Sequence, residues 1–491
     1  MAFKYRDPQK VMKVRQIFLW LLLLCSVTAS AQSLEERYRS FSKAAKQTYS
    51  DFRREANVRY ANFLAQAWQY YGIDSAVHAP INQWIPPVLY ESPIEPEVPT
   101  SMPCEYNESA STEVSRPQPM TPIVENNERT NPIVITFYGT QMSFRYPRFA
   151  PIKLTKVSEK QVARVWQELS EQGFDNLLFD CLQARDSFGL CDYAYGQMLR
   201  QLSEQILGPT NEAVLLNAFL YAQSGYAMRL ANTKEGKLYL LIGSKYLIFD
   251  QKAFKFDDLY FYPMEEVPEG LLVCNHPFGN EQPMTLLISN DQQLASDSVK
   301  EITRKSRMGI STTVSINKNL IDFYDHYPTG NLGGDVGSRL AIYANAPLEQ
   351  SVQQSLYQTL HEVIDGHTQR EAANKILNYV QTAFTYEYDE KVWGRDRAFF
   401  PLESLYYPYN DCEDRCILFS RLIRDLLHAD VVLLYYPGHL STAVEFNENI
   451  EGDYVMVDEH KYIVCDPTFI GASIGKSMPQ FKKMTAKIIK L

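Results

Sequence analysis

The strongest constraint on the fold lies between Tyr409 and Phe446, where a helix pattern is followed by an apolar strand of matching length. In "YNDCEDRCILFSRLIRDLL", Cys412, Cys416, Phe419, Ile423 and Leu426 recur at helical spacing and form one apolar stripe. At 1.5 Å per residue, a helix over 411–427 is roughly 25 Å long. "DVVLLYYP" gives a strand of roughly 23 Å at 3.3 Å per residue. A short turn at His428–Asp430 sends that strand back along the helix. The chain therefore returns to the helix start at "PGH", and His439 opens a second strand, "HLSTAVEF".

This return brings a histidine beside a cysteine in the first helical turn. Asn410 is the expected N-cap, with Glu413 reciprocating at the third position. Unpaired N–H groups of a first turn stabilise a thiolate and can bind an oxyanion. Glu413 and Asp414 oppose thiolate formation; if they turn to solvent, water and salt screen that opposition. The competing reading is that Cys412 is a small buried residue of the stripe, as free cysteines often are. Further on, "YIVCDPTF" places Asp466 at a strand end, before a turn-forming proline. Asp466 can accept the second ring N–H of His439, giving nucleophile, base and orienter in chain order. His428, in the turn after the helix, and His460, in the "DEHK" turn, are not returned toward Cys412.

These three segments together resemble the transglutaminase-like superfamily, within the papain-like cysteine-enzyme fold. "NDCEDRCILFSRLIRDLL" is similar to its Cys-bearing helix, "YYPGHLSTAVEF" to its His strand and "YIVCDPTFIGASIG" to its Asp strand. The likeness covers roughly 350–491, with Leu440 where the family often carries a Trp shortly after its His. It implies Cys412 as nucleophile, His439 as base and Asp466 as orienter, without cofactor or metal. It also implies attack on an amide or peptide carbonyl to give a thioester. We expect water rather than an amine to resolve that thioester, making the protein a peptidase or amidase rather than a cross-linking enzyme. The expected substrate is a protein or peptide, with cell-envelope proteins as candidates. The alternative is a catalytically inactive transglutaminase-like scaffold or binding module in an envelope assembly. A second oxyanion donor is not legible; Trp393, Tyr407 and Tyr409 precede the helix but read first as aromatic packing. The chemical rival is a structural zinc held by Cys412, Cys416, His439 and Cys465. Against it, Cys465 and Asp466 are adjacent on a strand and point to opposite faces.

At the other end, Lys13 and Arg15 precede the apolar run "IFLWLLLLCSV", and "ASA" at Ala29–Ala31 fits cleavage before Gln32. Met12 is a second possible start. The run is short for a bilayer span, and Cys25 follows Leu24 rather than the small residue lipid attachment needs. The mature chain is therefore expected to be exported, periplasmic or secreted and surface-associated, with no transmembrane segment. Loss of residues 1–31 leaves 43 basic against 57 acidic residues, a net charge of −14. That balance argues against nonspecific nucleic-acid binding. Seven cysteines remain, an odd number; Cys181 and Cys191 are a candidate disulfide.

We read the chain as an α+β multi-domain protein. After the signal peptide, 1–31, come a helical segment, 32–76, and a Pro-rich linker, 77–132, expected to be extended or disordered. The linker carries the glycosylation pattern "NES" at Asn107. An α+β domain is expected over 133–275, with helices near 158–170, 193–206 and 211–224 and a hairpin in "KLYLLIGSKYLIFD". A β-rich domain, 276–350, follows; its "GNLGGDVG" reads as a flexible loop rather than a phosphate-binding one. The transglutaminase-like domain occupies 351–491, with a capping box at Thr368 and Glu371.

Overall fold

The computed structural model describes residues 37–78, 85, 87–89, 98–105, 116–126, 129–147 and 152–491. The expected signal peptide and Asn107 lie outside these residues. Among those described, no helix is long and apolar enough to cross a membrane.

A helix over 37–64 leads the described chain. Its first half leaves Tyr38 and Phe41 exposed, whereas Tyr60, Leu64 and Trp68 are buried. It is fixed by polar contacts as well as by burial. Arg53 forks onto both Asp175 oxygens at 2.9 and 3.0 Å, and Asn57 Oδ1 accepts from Trp166 Nε1 and Gln223 Nε2, each at 2.9 Å. Four helices, Glu159–Glu171, Asp175–Ser187, Asp192–Leu207 and Asn211–Gln223, pack beside an antiparallel six-stranded sheet. The strand order is Gln69–Gly72, Gly270–Cys274, Met228–Asn232, Leu238–Ser244, Leu259–Pro263, Phe254–Phe256. The expected hairpin in "KLYLLIGSKYLIFD" is not formed. Leu238–Ser244 pairs with Met228–Asn232 and Leu259–Pro263, while Tyr246–Ile248 pairs with Gly330–Leu332.

That last pairing also removes the boundary expected at 275. The hairpin Val299–Lys305 with Ser311–Asn317 is the β-rich part of 276–350; the rest holds helices Lys318–Asp325 and Val336–Asn345, the short strand Gly330–Leu332 and irregular chain. "GNLGGDVG" is a short strand and a helix cap rather than a free loop: Asp335 accepts from Gly337 and Ser338 N–H at 3.3 and 3.1 Å. Gly330 is required there, because a Cβ would run into the Leu247 carbonyl.

Helices Gln350–Ile364 and Gln369–Thr382 open the C-terminal part, the second with the capping box Thr368–Glu371. The helix Cys412–Leu427 then lies on a second six-stranded sheet. Its order is Tyr454–Val457, His460–Cys465, His439–Glu445, Val431–Tyr436, Ala486–Lys490, Cys104–Glu105. The last strand comes from the expected linker. Cys104 pairs in parallel with Ala486, Ser101 bridges to Tyr454, and Met102 is buried in the same apolar cluster as Val455 and Ile488. Residues 101–105 of that segment are therefore docked, because the sheet edge offers unpaired backbone groups that an extended segment satisfies. One apolar cluster runs from Tyr60 to Ile489, so the expected domains share a continuous core. All seven cysteines described are free thiols; Cys181 and Cys191 are both buried and unpaired with each other.

Candidate active site

The helix bearing Cys412 starts one residue later than its sequence suggests. Asp411, not Asn410, is the N-cap, and Asp414, not Glu413, closes the box. Asp411 Oδ1 accepts from Glu413 N at 2.9 Å and Asp414 N at 3.3 Å; Asp414 Oδ2 accepts from Asp411 N at 3.2 Å. Asn410 turns away, donating to the Ser404 carbonyl at 3.1 Å.

The acids do not face solvent. Asp411, Glu413 and Asp414 are all buried, under the chain of 389–410 that folds over the helix start. Asp414 Oδ1 accepts the Phe399 N–H at 2.9 Å, and Glu413 meets Arg339 at 3.4 Å. Arg339 also pairs with Asp396 at 2.8 Å. Burial pushes the Asp411 and Asp414 carboxyls well above the usual carboxylate range, and their neighbouring carboxyls add to it. Cys412 is 5% exposed. Burial, then Asp411 and Glu413, pushes its thiol well above the ordinary range. The expected low thiolate pKa is thus replaced by a neutral resting thiol, because the neighbouring acids lie inside rather than in water.

The strand opening at His439 is paired with Val431–Tyr436 from His439 to Val444. On its other side the strand His460–Cys465 reaches only Thr442, so residues 439–441 keep one open edge. The two cysteines of the helix fill it. Cys416 Sγ donates to the Leu440 carbonyl at 3.2 Å, and the Leu440 backbone hydrogen-bonds the Cys412 sulfur. Cys412 therefore meets the residue beside His439.

His439 and Asp466 are brought together directly. Nε2 lies 2.9 Å from Asp466 Oδ2, with both side chains buried. A carboxylate only accepts, so Nε2 carries the hydrogen and Nδ1 is left with its lone pair. Nδ1 has no hydrogen-bond partner. The ring stacks on Phe481 at 4.7 Å. Leu440 belongs to the apolar cluster under the helix and Phe481 to the cluster on the other face, so His439 approaches the open edge from the face opposite the helix. No hydrogen bond joins Cys412 Sγ to the ring.

Asp466 is held from three directions. Its Oδ1 accepts from Thr468 and Phe469 N–H at 2.9 and 3.2 Å. Its carbonyl accepts from Gln381 Nε2 at 3.1 Å, and the same amide reaches Phe469 O and Ala472 O. The Gln381 carbonyl in turn accepts from Arg415 Nη1 at 3.0 Å. Gln381 so ties the Asp466 turn to the Cys412 helix. Neither Gln381 nor Arg415 stands out in the sequence, since each looks like one more polar helical residue.

Compared with protein-family models, curated proteins and solved structures, the chain matches none. The reading of the site therefore rests on its own geometry.

The other sequence candidates take structural places. Trp393 and Tyr407 meet edge-on at 4.9 Å around the Arg397 guanidinium, and Tyr407 OH donates to Asp325 at 3.0 Å. Tyr409 is exposed. His460 is exposed on Glu445 at 2.6 Å, and His428 is the left-handed C-cap of the helix. The four zinc candidates are not gathered: Cys465 Sγ turns to the Ile463 carbonyl, while His439 is engaged by Asp466. Among the described residues no group of three or more His, Cys, Asp or Glu is placed to hold a metal ion. Tyr386 was not singled out by its sequence, yet its strand runs parallel to Tyr409–Asn410 and sets it opposite Asn410.

Asp389 belongs to the same acid cluster. Burial, with Glu413 and Asp396 adding to it, pushes its carboxyl from 3.8 up to about 8. A carboxyl raised on folding contributes stability that is fully present below its unfolded value and is lost as pH rises through the folded one. The window is thus from about pH 4 to about pH 8. Asp389→Asn keeps an oxygen for the Arg397 N–H, which Asp389 Oδ2 now accepts at 2.6 Å. The variant should match the parent in urea denaturation near pH 4 and exceed it at pH 8.5 by on the order of 2–4 kcal/mol. Equal stability at both pH values would show that the carboxyl ionises without penalty.

Proposed function

We propose that the protein is a transglutaminase-like cysteine enzyme that acts on amide or peptide bonds through Cys412, His439 and Asp466 and resolves its thioester with water. The observation that carries this reading is the buried His439–Asp466 pair at 2.9 Å, whose free Nδ1 lies on the residue adjoining the one that Cys412 touches. Buried polar atoms are nearly always bonded, and a lone pair kept unpartnered at such a place suits a proton acceptor.

The steps follow from the groups present. With its thiol neutral at rest, Cys412 gives its proton to His439 Nδ1 as the sulfur attacks the carbonyl carbon. The S–C bond forms and the carbonyl π pair moves to oxygen. Asp466 stabilises the imidazolium through Nε2–H. Collapse restores the carbonyl and breaks the C–N bond, and the imidazolium protonates the departing amine. His439 then deprotonates water as its oxygen attacks the thioester carbon; collapse breaks the C–S bond, the imidazolium returns its proton to the departing sulfur, and the acid is released. Because the ring now rests on Phe481 and Cys412 is covered, substrate entry must bring Nδ1 to the sulfur, a closure that binding energy can drive.

The burial of Cys412 and its raised thiol favour a second reading, an inactive scaffold in an envelope assembly. Export and a cell-envelope substrate belong to the first proposal as much as to the second, and rest on residues 1–31. The deciding experiment is exposure of the full chain to p-nitrophenyl acetate, with mass analysis of the modified peptides. Acetylation of Cys412 ahead of Cys416 and Cys465, with nitrophenolate release lost in Cys412→Ala, is expected. Absence of a Cys412 adduct together with unchanged release in Cys412→Ala would leave the scaffold reading.

A further inference from the structure

Thiol attack on a carbonyl needs donors for the oxygen that becomes negative. One donor is supplied by the helix start. Asp411 takes the N–H groups of Glu413 and Asp414, and the Cys412 N–H, as a first-turn group, has no intrahelical acceptor. A second donor must stand near the same sulfur and be unengaged in the resting protein.

Tyr386 meets both requirements. The two-residue strand Thr385–Tyr386 pairs in parallel with Tyr409–Asn410, which places Tyr386 opposite Asn410, two residues ahead of Cys412. Arg415, one turn along the helix from Cys412, holds the segment there. Its Nη2 donates to the Phe384 carbonyl at 3.0 Å, and its guanidinium carbon lies 5.2 Å from the Tyr386 ring centroid. The ring is thus clamped between its own strand and the helix that carries the nucleophile. The Tyr386 hydroxyl is buried and has no hydrogen-bond partner. A buried hydroxyl left unpaired costs roughly 1–3 kcal/mol, and tyrosine oxygens in protein interiors ordinarily find a partner. Burial is the first cause of a strongly raised phenol and Cys412 is the second, ahead of Asp411. The group therefore stays protonated, a donor without a proton to lose, on a strand residue paired two positions ahead of Cys412.

We propose that Tyr386 is a further catalytic residue, whose hydroxyl donates a hydrogen bond to the oxyanion formed when Cys412 adds to a substrate carbonyl. The proposal rests on the reading of Cys412 as nucleophile. The phenol proton is not transferred: its hydrogen bond to the oxygen shortens as the carbonyl π pair moves there, and lengthens again when the tetrahedral state collapses to the thioester, re-forming C=O and breaking the bond to the leaving group. The role differs from that of Trp393 and Tyr407, whose ring faces and hydroxyl are already engaged by Arg397 and Asp325.

The test compares two reactions of the same sulfur. Acetylation by p-nitrophenyl acetate passes through an oxyanion; alkylation by iodoacetamide does not. Tyr386→Phe keeps the ring against Arg415 and removes the donor. It should slow acetylation of Cys412 by on the order of 10²-fold while leaving alkylation of Cys412 at the parent rate. Tyr386→His, which returns a ring N–H, should recover part of the acetylation rate and serves if the Phe variant melts early. The proposal is overturned if Tyr386→Phe acetylates at the parent rate, or if both reactions slow by the same factor, which would mark a structural role. Cys412→Ala runs in the same assay. If it keeps the parent rate of nitrophenolate release, the nucleophile reading itself has failed; if it loses that release while Tyr386→Phe does not, only the Tyr386 role has.

Discussion

His439→Ala is expected to lower the rate of Cys412 acylation and turnover by roughly 10²–10⁴-fold. The magnitude follows from the resting state of the site. Cys412 is buried, and its thiol is pushed well above the ordinary range, so little thiolate exists at neutral pH without a base. His439 stands on the strand that Cys412 meets, its Nδ1 is unpartnered, and Asp466 holds its Nε2 at 2.9 Å. In the variant, Asp466 keeps its contacts to Thr468 and Phe469 N–H, so the turn should survive. Thermal melting should check this, since the Phe481 stack is lost. Raising the pH should partly restore acylation in His439→Ala, because hydroxide can then ionise the thiol directly. In the parent, iodoacetamide labelling of Cys412 should rise through and beyond pH 8.5, the range of an ordinary thiol, instead of levelling below it. His460→Ala, which alters an exposed pair with Glu445, should leave turnover unchanged. Equal losses in the two histidine variants, or a loss confined to His460→Ala, would remove His439 from the mechanism.

Arg339→Met is expected to cost about 3–5 kcal/mol near pH 8, the largest stability effect we foresee. Arg339 is buried, and its guanidinium stands between Asp396 at 2.8 Å and Glu413 at 3.4 Å. Removing the cation leaves two carboxylates in an interior already crowded by Asp389, Asp411 and Asp414. Methionine fills most of the volume, so the loss reports charge rather than a cavity. The sign with pH is set by the acids. In the variant their neutral forms are the ones the interior tolerates, so stability is present at low pH and lost as pH rises. Denaturation at pH 5 should therefore show a smaller deficit than at pH 8. A deficit that is small at both, or larger at pH 5, would show that Arg339 does not balance this cluster.

The amino-acid sequence by itself determined the local elements of the C-terminal part. The apolar stripe from Cys412 to Leu426 is the buried face of an observed helix, "DVVLLYYP" and "HLSTAVEF" are adjacent antiparallel strands, and Thr368–Glu371 is a capping box. Three upstream helices also fall where periodicity puts them, because a one-sided apolar pattern needs only neighbours along the chain to be read. Asp175–Ser187 does not announce itself: Asn176 and Arg185 sit buried on it, blurring the amphipathic pattern. Tertiary structure alone decided the chemistry around Cys412. The cap moved to Asp411 because Ser404 claims Asn410. Asp414 turned inward because the Phe399 N–H, fifteen residues upstream, needs an acceptor, and Glu413 did so toward Arg339, seventy-four residues away. Tyr386 became a neighbour of Cys412 through a two-residue parallel strand, and Cys104 completed a sheet that begins more than three hundred residues later. Local spacing encodes which residues share a face. Whether that face meets water, a carboxyl or a distant strand depends on which remote segment of chain covers it, and a buried charge or thiol takes its properties from that cover.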